Sequence, residues 1–365
     1  MTVPLLPQEN LLDAVKISCR ALRDKNLPDI AISSSHIDTF LRSLDGAKYA
    51  EVSSGDPNKA PLKFDSIEQE VGFVALIDLL NFGSGWRVEL HAALDRGAFN
   101  AIRFGCMALH ISSVDVSAKW MRRVTLAEVA SYFDLPLLRD VPHETLPIVT
   151  MKPHSLRALS EQIMEVLHET GKVLEDKGYP SLAAFVMDAV TRPGEGGSRG
   201  PAAELVDRVA RAFPSMRDCD TYKGVDVFIL KRAQLLAGNL YRRFSATDPR
   251  FAFSDIKDLT VFSDNVLPTV LTKLGVLTLS ESLQGRITAR EDLGQAADEK
   301  WAVRLRGAAV DACEEIVAKA KTLEGLDLRV AAMAGIDLDY YLWSLGKEEG
   351  YRTVERMVVK GTPFF

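Results

Sequence analysis

Apolar side chains recur at three- and four-residue steps along most of this chain, the spacing of one face of an α-helix. Leu11, Leu12, Val15, Cys19 and Leu22 make the first such stripe. Ile37, Phe40 and Leu41 make the second, with Ser34 or Ser35 placed to cap it. Asp65 and Glu68 have capping-box-like spacing ahead of a helix expected over 66–82, and Thr125 with Glu128 repeats it for 126–134. The stripe Leu156, Leu159, Ile163, Val166, Leu167, Thr170 and Leu174 predicts a long helix over 155–177 that Gly178 ends. Further helices are expected at about 202–213, 229–243, 265–274, 299–322 and 337–345. Strand-type alternation is brief, at Val225, Val227 and Ile229, and neither a βαβ rhythm nor a repeat of about 20–50 residues is present. The fold class is therefore mostly α, with at most a few short strands. The stretch TRPGEGGSRG at 191–200 reads as a mobile loop. It is too short to prove two domains, so a single domain over 1–365, with room for two lobes, is the expectation.

Composition narrows the class. With 47% hydrophobic and 26% charged residues the chain is an ordinary globular one, long enough to enclose a dry site. A net charge of −6 argues against a dedicated nucleic-acid binder, which usually carries a basic face. The longest apolar stretch, around Val71–Leu80, is about half a membrane span and is broken by Asp78. The N-terminal residues lack the basic region and apolar run of a signal peptide. Four scattered cysteines form no CxxC pair, as expected of reduced thiols in the cytoplasm. The six histidines show no pair at ligand spacing, and no glycine-rich phosphate loop or HExxH is present. A zinc knot is therefore not expected.

Four segments depart from plain helical patterning. Asp78 and Asn81 end an apolar helix and are followed by a turn carrying Phe82 and Trp86. Lys231, Arg232 and Gln234 open a helix, where the dipole disfavours cations, so the cations need an anion or water. Phe262-Ser263-Asp264-Asn265 follows an apolar run, and Ser263 or Asp264 is a natural helix cap with Pro268 in the first turn. Asp337 and Asp339 stand among Tyr340, Tyr341 and Trp343. Each of these, taken alone, also reads as a helix end or a piece of core.

Together they resemble the queuosine salvage protein family. The resemblance rests on Phe73–Phe82 with Trp86, Phe213–Asp218, Tyr222–Gly224, Leu230–Gln234 and Leu259–Asp264. Leu274-Gly275, Leu305-Arg306-Gly307 and Leu338–Trp343 extend it, so that it spans roughly residues 65–345. It implies a helical fold similar to helix-hairpin-helix DNA glycosylases and hydrolysis of queuosine 5′-monophosphate to release queuine, the 7-deazaguanine base used in tRNA modification. It implies Asp264 as the catalytic carboxylate, Lys231 as a pocket residue and Asp339 as a substrate-binding acid. Asp78, Asn81, Phe82, Trp86, Trp120 and Phe262 are further candidates for holding the base. The resemblance implies no metal and no organic cofactor, and the expected partners are the nucleotide and queuine, with no membrane and no stable nucleic-acid complex. The chain departs from the family where it reads Asn265-Val266 in place of Tyr-Arg, and where Asn239 replaces an acid. A helical glycosylase acting on another nucleotide or DNA, or a queuine-binding paralogue without turnover, are the alternative readings.

Overall fold

The computed structural model describes residues 4–55, 59, 61–142, 145, 149–192 and 199–365. Positions 193–198 of the expected mobile loop lie outside the described residues. Helices dominate, as the apolar spacing predicts. The chain divides into two compact units: one built from 1–60, 189–211 and 216–361, the other from 61–188, 212–215 and 362–365.

In the first unit the helix Trp301–Ala320 is buried without a break from Val303 to Cys313. A helix covered nearly all round belongs at the centre of a core. Packed on it are Leu11–Asn26, Ser34–Ser43, Val266–Lys273 and Gly335–Leu345. The stripe from Leu11 to Leu22 is buried as expected. The second helix is capped by Ser33, one position before the expected serines, with its hydroxyl accepting from the His36 amide. Two small antiparallel pairs complete the unit. Ile30–Ile32 runs beside Leu277–Leu279, and Cys219–Tyr222 beside Val225–Phe228. Lys223 and Gly224 link the latter pair at φ 46° and 78°, the left-handed geometry of a two-residue hairpin turn. Ile229 lies past the strand, and Leu230 at φ 50° delays the next helix to Lys231–Phe244.

In the second unit the helix Ile67–Leu79 is capped by Ser66, which accepts from the Gln69 amide at 3.1 Å. The cap thus sits one residue beyond the expected Asp65–Glu68 pair, and the helix stops at Leu79 rather than 82. Thr125 and Glu128 do form the capping box expected of them. The long stripe forms Arg157–Asp176, which packs on Ala118–Met121 and Leu126–Phe133. A Cβ on Gly171 would lie 2.5 Å from the Arg122 nitrogen and 2.6 Å from the Ala118 oxygen, so this approach needs glycine. The hairpin Leu138–Pro142 with Val149–Pro153 was not foreshadowed by alternation, because both its faces are largely exposed.

Candidate active site

The segment Leu259–Ser263 is fully buried, yet it joins no sheet. Buried backbone groups need partners, and here side chains supply them. Gln234 accepts from the Thr260 amide at 3.0 Å and donates to the Ile229 carbonyl at 2.9 Å. Asp339 accepts from the Phe262 amide at 2.7 Å. Arg306 Nε donates to the Ser263 carbonyl at 2.8 Å. Three side chains from three helices therefore act as the missing neighbouring strand, and they leave the next residue, Asp264, at a rigid exit from the core.

Asp264 is half-buried, and its carboxylate accepts from the Val266 amide at 2.6 Å. That hydrogen bond starts the helix Val266–Lys273, whose N-terminal dipole favours a negative charge. The cap position expected at Ser263 or Asp264 instead falls on Asn265, whose side chain donates to the Met357 carbonyl at 3.1 Å, so that Asp264 reaches the first helical amide from one residue further back.

Lys231 opens its helix with only 4% of its surface exposed. Burial pushes its ammonium down to about 8, against the Asp264 carboxylate, whose charge acts most strongly in favour of the protonated form. Asp339 is buried in the helix Gly335–Leu345. Burial pushes its carboxyl up to about 7; the hydrogen bond from Phe262 opposes this and the Asp264 charge adds to it. The Phe262 ring meets Tyr340 edge-on with centroids 6.4 Å apart. Arg242 stacks over the other aromatic neighbour of this cluster, 3.8 Å from the Tyr340 centroid, and the Tyr340 hydroxyl donates to Asn239. One unit thus gathers a half-buried carboxylate, a buried lysine poised near neutrality, a buried carboxyl and an aromatic face. Such a set can stabilise a developing cation and supply a proton.

A family model described as queuosine salvage protein matches residues 62–362. The chain belongs to this family. Three relatives named queuosine 5′-phosphate N-glycosylase/hydrolase are similar to it. The protein from Sphaerobacter thermophilus is 29% identical over 78% of this chain and 78% of its own. That from Mus musculus is 27% identical over 81% and 80%, and that from Schizosaccharomyces pombe 26% identical over 61% and 55%.

Of the residues expected at a queuosine salvage site, Lys231, Phe262, Asp264 and Asp339 come together in the first unit. Asp78, Asn81, Phe82, Trp86 and Trp120 belong to the second. There Asp78 is fully buried at the end of its helix, and Phe82 and Trp86 are buried around the turn that Gly83 enters at φ 92°. Trp120 is half-buried on the short helix Ala118–Met121. Two of the departures from the family pattern have structural occupations: Asn239 serves Tyr340, and Asn265 serves Met357. Asp218 and Arg306, both in segments that carry the resemblance, were not among the residues expected at the site, yet they bond to the backbone at Lys231 and Ser263. Arg306 pairs with Asp218 at 2.5 Å while 2% exposed. An arginine flanked by Leu305, Gly307, Ala308 and Ala309 on a core helix was the available signal, since a buried cation demands a carboxylate.

Proposed function

We propose that this protein hydrolyses the N-glycosidic bond of queuosine 5′-monophosphate and releases queuine, with Asp264 as the catalytic carboxylate. The observation that carries the reading is the half-buried Asp264 carboxylate held by the Val266 amide, close enough to the buried Lys231 for its charge to favour the protonated amine, in a chain whose relatives bear that enzyme's name. Cleavage of the bond between C1′ and the base leaves positive charge on the ribose, as in glycoside hydrolysis generally. A carboxylate held by the Val266 amide at a helix start meets that charge without having to reorganise. The electron pair of the broken bond goes to the base. An ordinary purine accepts a proton at N7 as it leaves, but a 7-deaza base has carbon there. The proton must enter elsewhere, and a lysine near 8 is matched to giving one at neutral pH. Water then gives its hydroxide to C1′, and its remaining proton replaces the one that Lys231 gave up. We assign Phe262 to the face of the base and Asp339 to a polar contact with substrate. All four cysteines are buried and unpaired, which supports a reducing, cytoplasmic setting.

The test is Asp264→Asn. Asparagine keeps an oxygen for the Val266 amide, so the helix start survives while the charge is lost. Queuine release from queuosine 5′-monophosphate is expected to fall by at least about 100–1,000-fold. Unchanged release from the variant, or none from the unaltered protein, sinks the proposal.

A further inference from the structure

The ion pair between Asp218 and Arg306 stands apart from the groups assigned to chemistry, yet it is bonded to the backbone beside two of them. Arg306 Nη1 and Nη2 donate to the two Asp218 oxygens at 3.0 and 2.5 Å. Its remaining edge, Nε, donates to the carbonyl of Ser263, the residue before Asp264, at 2.8 Å. Asp218 Oδ2 in turn accepts from the backbone amide of Lys231 at 3.2 Å. The Asp218 carbonyl accepts from the Ile229 and Leu230 amides at 3.0 and 3.1 Å, which holds the left-handed step into the Lys231 helix. Asp218 therefore anchors the start of one chain segment, Arg306 anchors the end of another, and one planar fork joins them.

We infer that Asp218 and Arg306 form a positioning clamp that sets where Lys231 stands relative to Asp264. This rests on the reading of Asp264 and Lys231 given above. Stability alone does not account for the pair, because a buried ion pair replaced by apolar residues of similar volume is often no worse for stability. What an apolar pair lacks is direction. The guanidinium presents its donors in a rigid plane, so the carboxylate and the Ser263 carbonyl are held at fixed angles to each other. A site whose reacting groups shift by about 1 Å can lose about 100-fold in rate. The clamp thus acts on turnover, while substrate capture depends on other contacts.

The experiment compares Arg306→Lys, Arg306→Met, and the double variant Asp218→Leu with Arg306→Met, using the full chain. Melting temperature, kcat and KM for queuosine 5′-monophosphate are measured for each. Arg306→Met alone leaves a buried carboxylate and is expected to melt lowest. The double variant is expected to melt higher than Arg306→Met, yet to keep kcat reduced on the order of 100-fold with KM within about threefold. Arg306→Lys keeps the charge but not the fork, and is also expected to lose kcat. Wild-type kcat in the double variant or in Arg306→Lys overturns the clamp. A crystal structure of the double variant reads the positions directly: Ser263 and Lys231 unmoved overturns it whatever the rates. Asp264→Asn run alongside separates the two ideas, since an active Asp264→Asn removes the catalytic reading while the crystal structure still judges the clamp.

Discussion

Lys231 and Asp339 are buried groups that burial moves toward neutrality from opposite sides, to about 8 and about 7. Below about 7 Asp339 is neutral; above about 8 Lys231 is neutral; between them both carry charge. If Lys231 donates the proton, kcat/KM falls above about 8, and Lys231→Met abolishes that limb together with most of the rate. An alkaline limb that persists in Lys231→Met assigns the proton to another group. Stability runs the other way. Asp339 titrates higher in the folded protein than its ordinary 3.8, so its contribution is complete below that value and is lost as pH rises through about 7. Lys231 titrates lower than its ordinary 10.5, so its contribution is complete above that value and is lost as pH falls through about 8. Both contributions are therefore absent in the window where both groups carry charge. Asp339→Asn still offers an oxygen to the Phe262 amide. It is expected to raise the melting temperature more at pH 8 than at pH 5, and an equal shift at both pH values contradicts the burial argument.

Among the elements, the segment Leu259–Asp264 and the helix Gly335–Leu345 depend on one contact. A Cβ on Gly335 would sit 2.5 Å from the Leu259 carbonyl oxygen and 3.1 Å from Thr260 Cα, both backbone atoms that cannot swing aside. Gly335→Ala is expected to cost about 1–3 kcal/mol by overpacking and to lower kcat with it, because the same helix carries Asp339 to the Phe262 amide. Thermal melts and steady-state rates check this, and a neutral effect on both counts against it. How far the sequence was readable follows the same physics. Stripes such as Leu11–Leu22 and Leu156–Leu174 declare their helices because one face alone is apolar. The helix Ile67–Leu79 is buried nearly all round in its second half, so periodicity could place it but not orient it. The pairing of Ile30–Ile32 with Leu277–Leu279 is three residues long and far apart in sequence, beyond any local pattern. Asp264 was legible as a helix start. The Arg306–Asp218 pair, 88 positions apart, was visible only as two charges awaiting partners.

At the scale of the molecule, the net charge of −6 bears on the rival reading of a glycosylase that extrudes bases from duplex DNA. Such binding draws on phosphate contacts by cations and weakens steeply with salt. This chain is expected not to retain duplex DNA at physiological salt, even at the roughly 10⁻⁴–10⁻⁶ M level of ordinary nonspecific binders. Salt-sensitive retention in a gel-shift or fluorescence-anisotropy titration reopens that reading. Among the described residues, no helix is long and apolar enough to cross a membrane.

The first unit is assembled from both halves of the chain. Arg304 Nε donates to Asn26 at 3.0 Å, 278 positions away in sequence, and its guanidinium reaches Asp29 at 2.7 Å between Trp301 and Tyr222. During synthesis at about 5–20 residues per second, Asn26 therefore waits roughly 15–60 s for its arginine to be made. Through that interval the apolar face of Leu11–Asn26 has left the ribosome without the helix that covers it. The newborn chain must be shielded, by a chaperone or by transient contacts of its own, before the first unit can close.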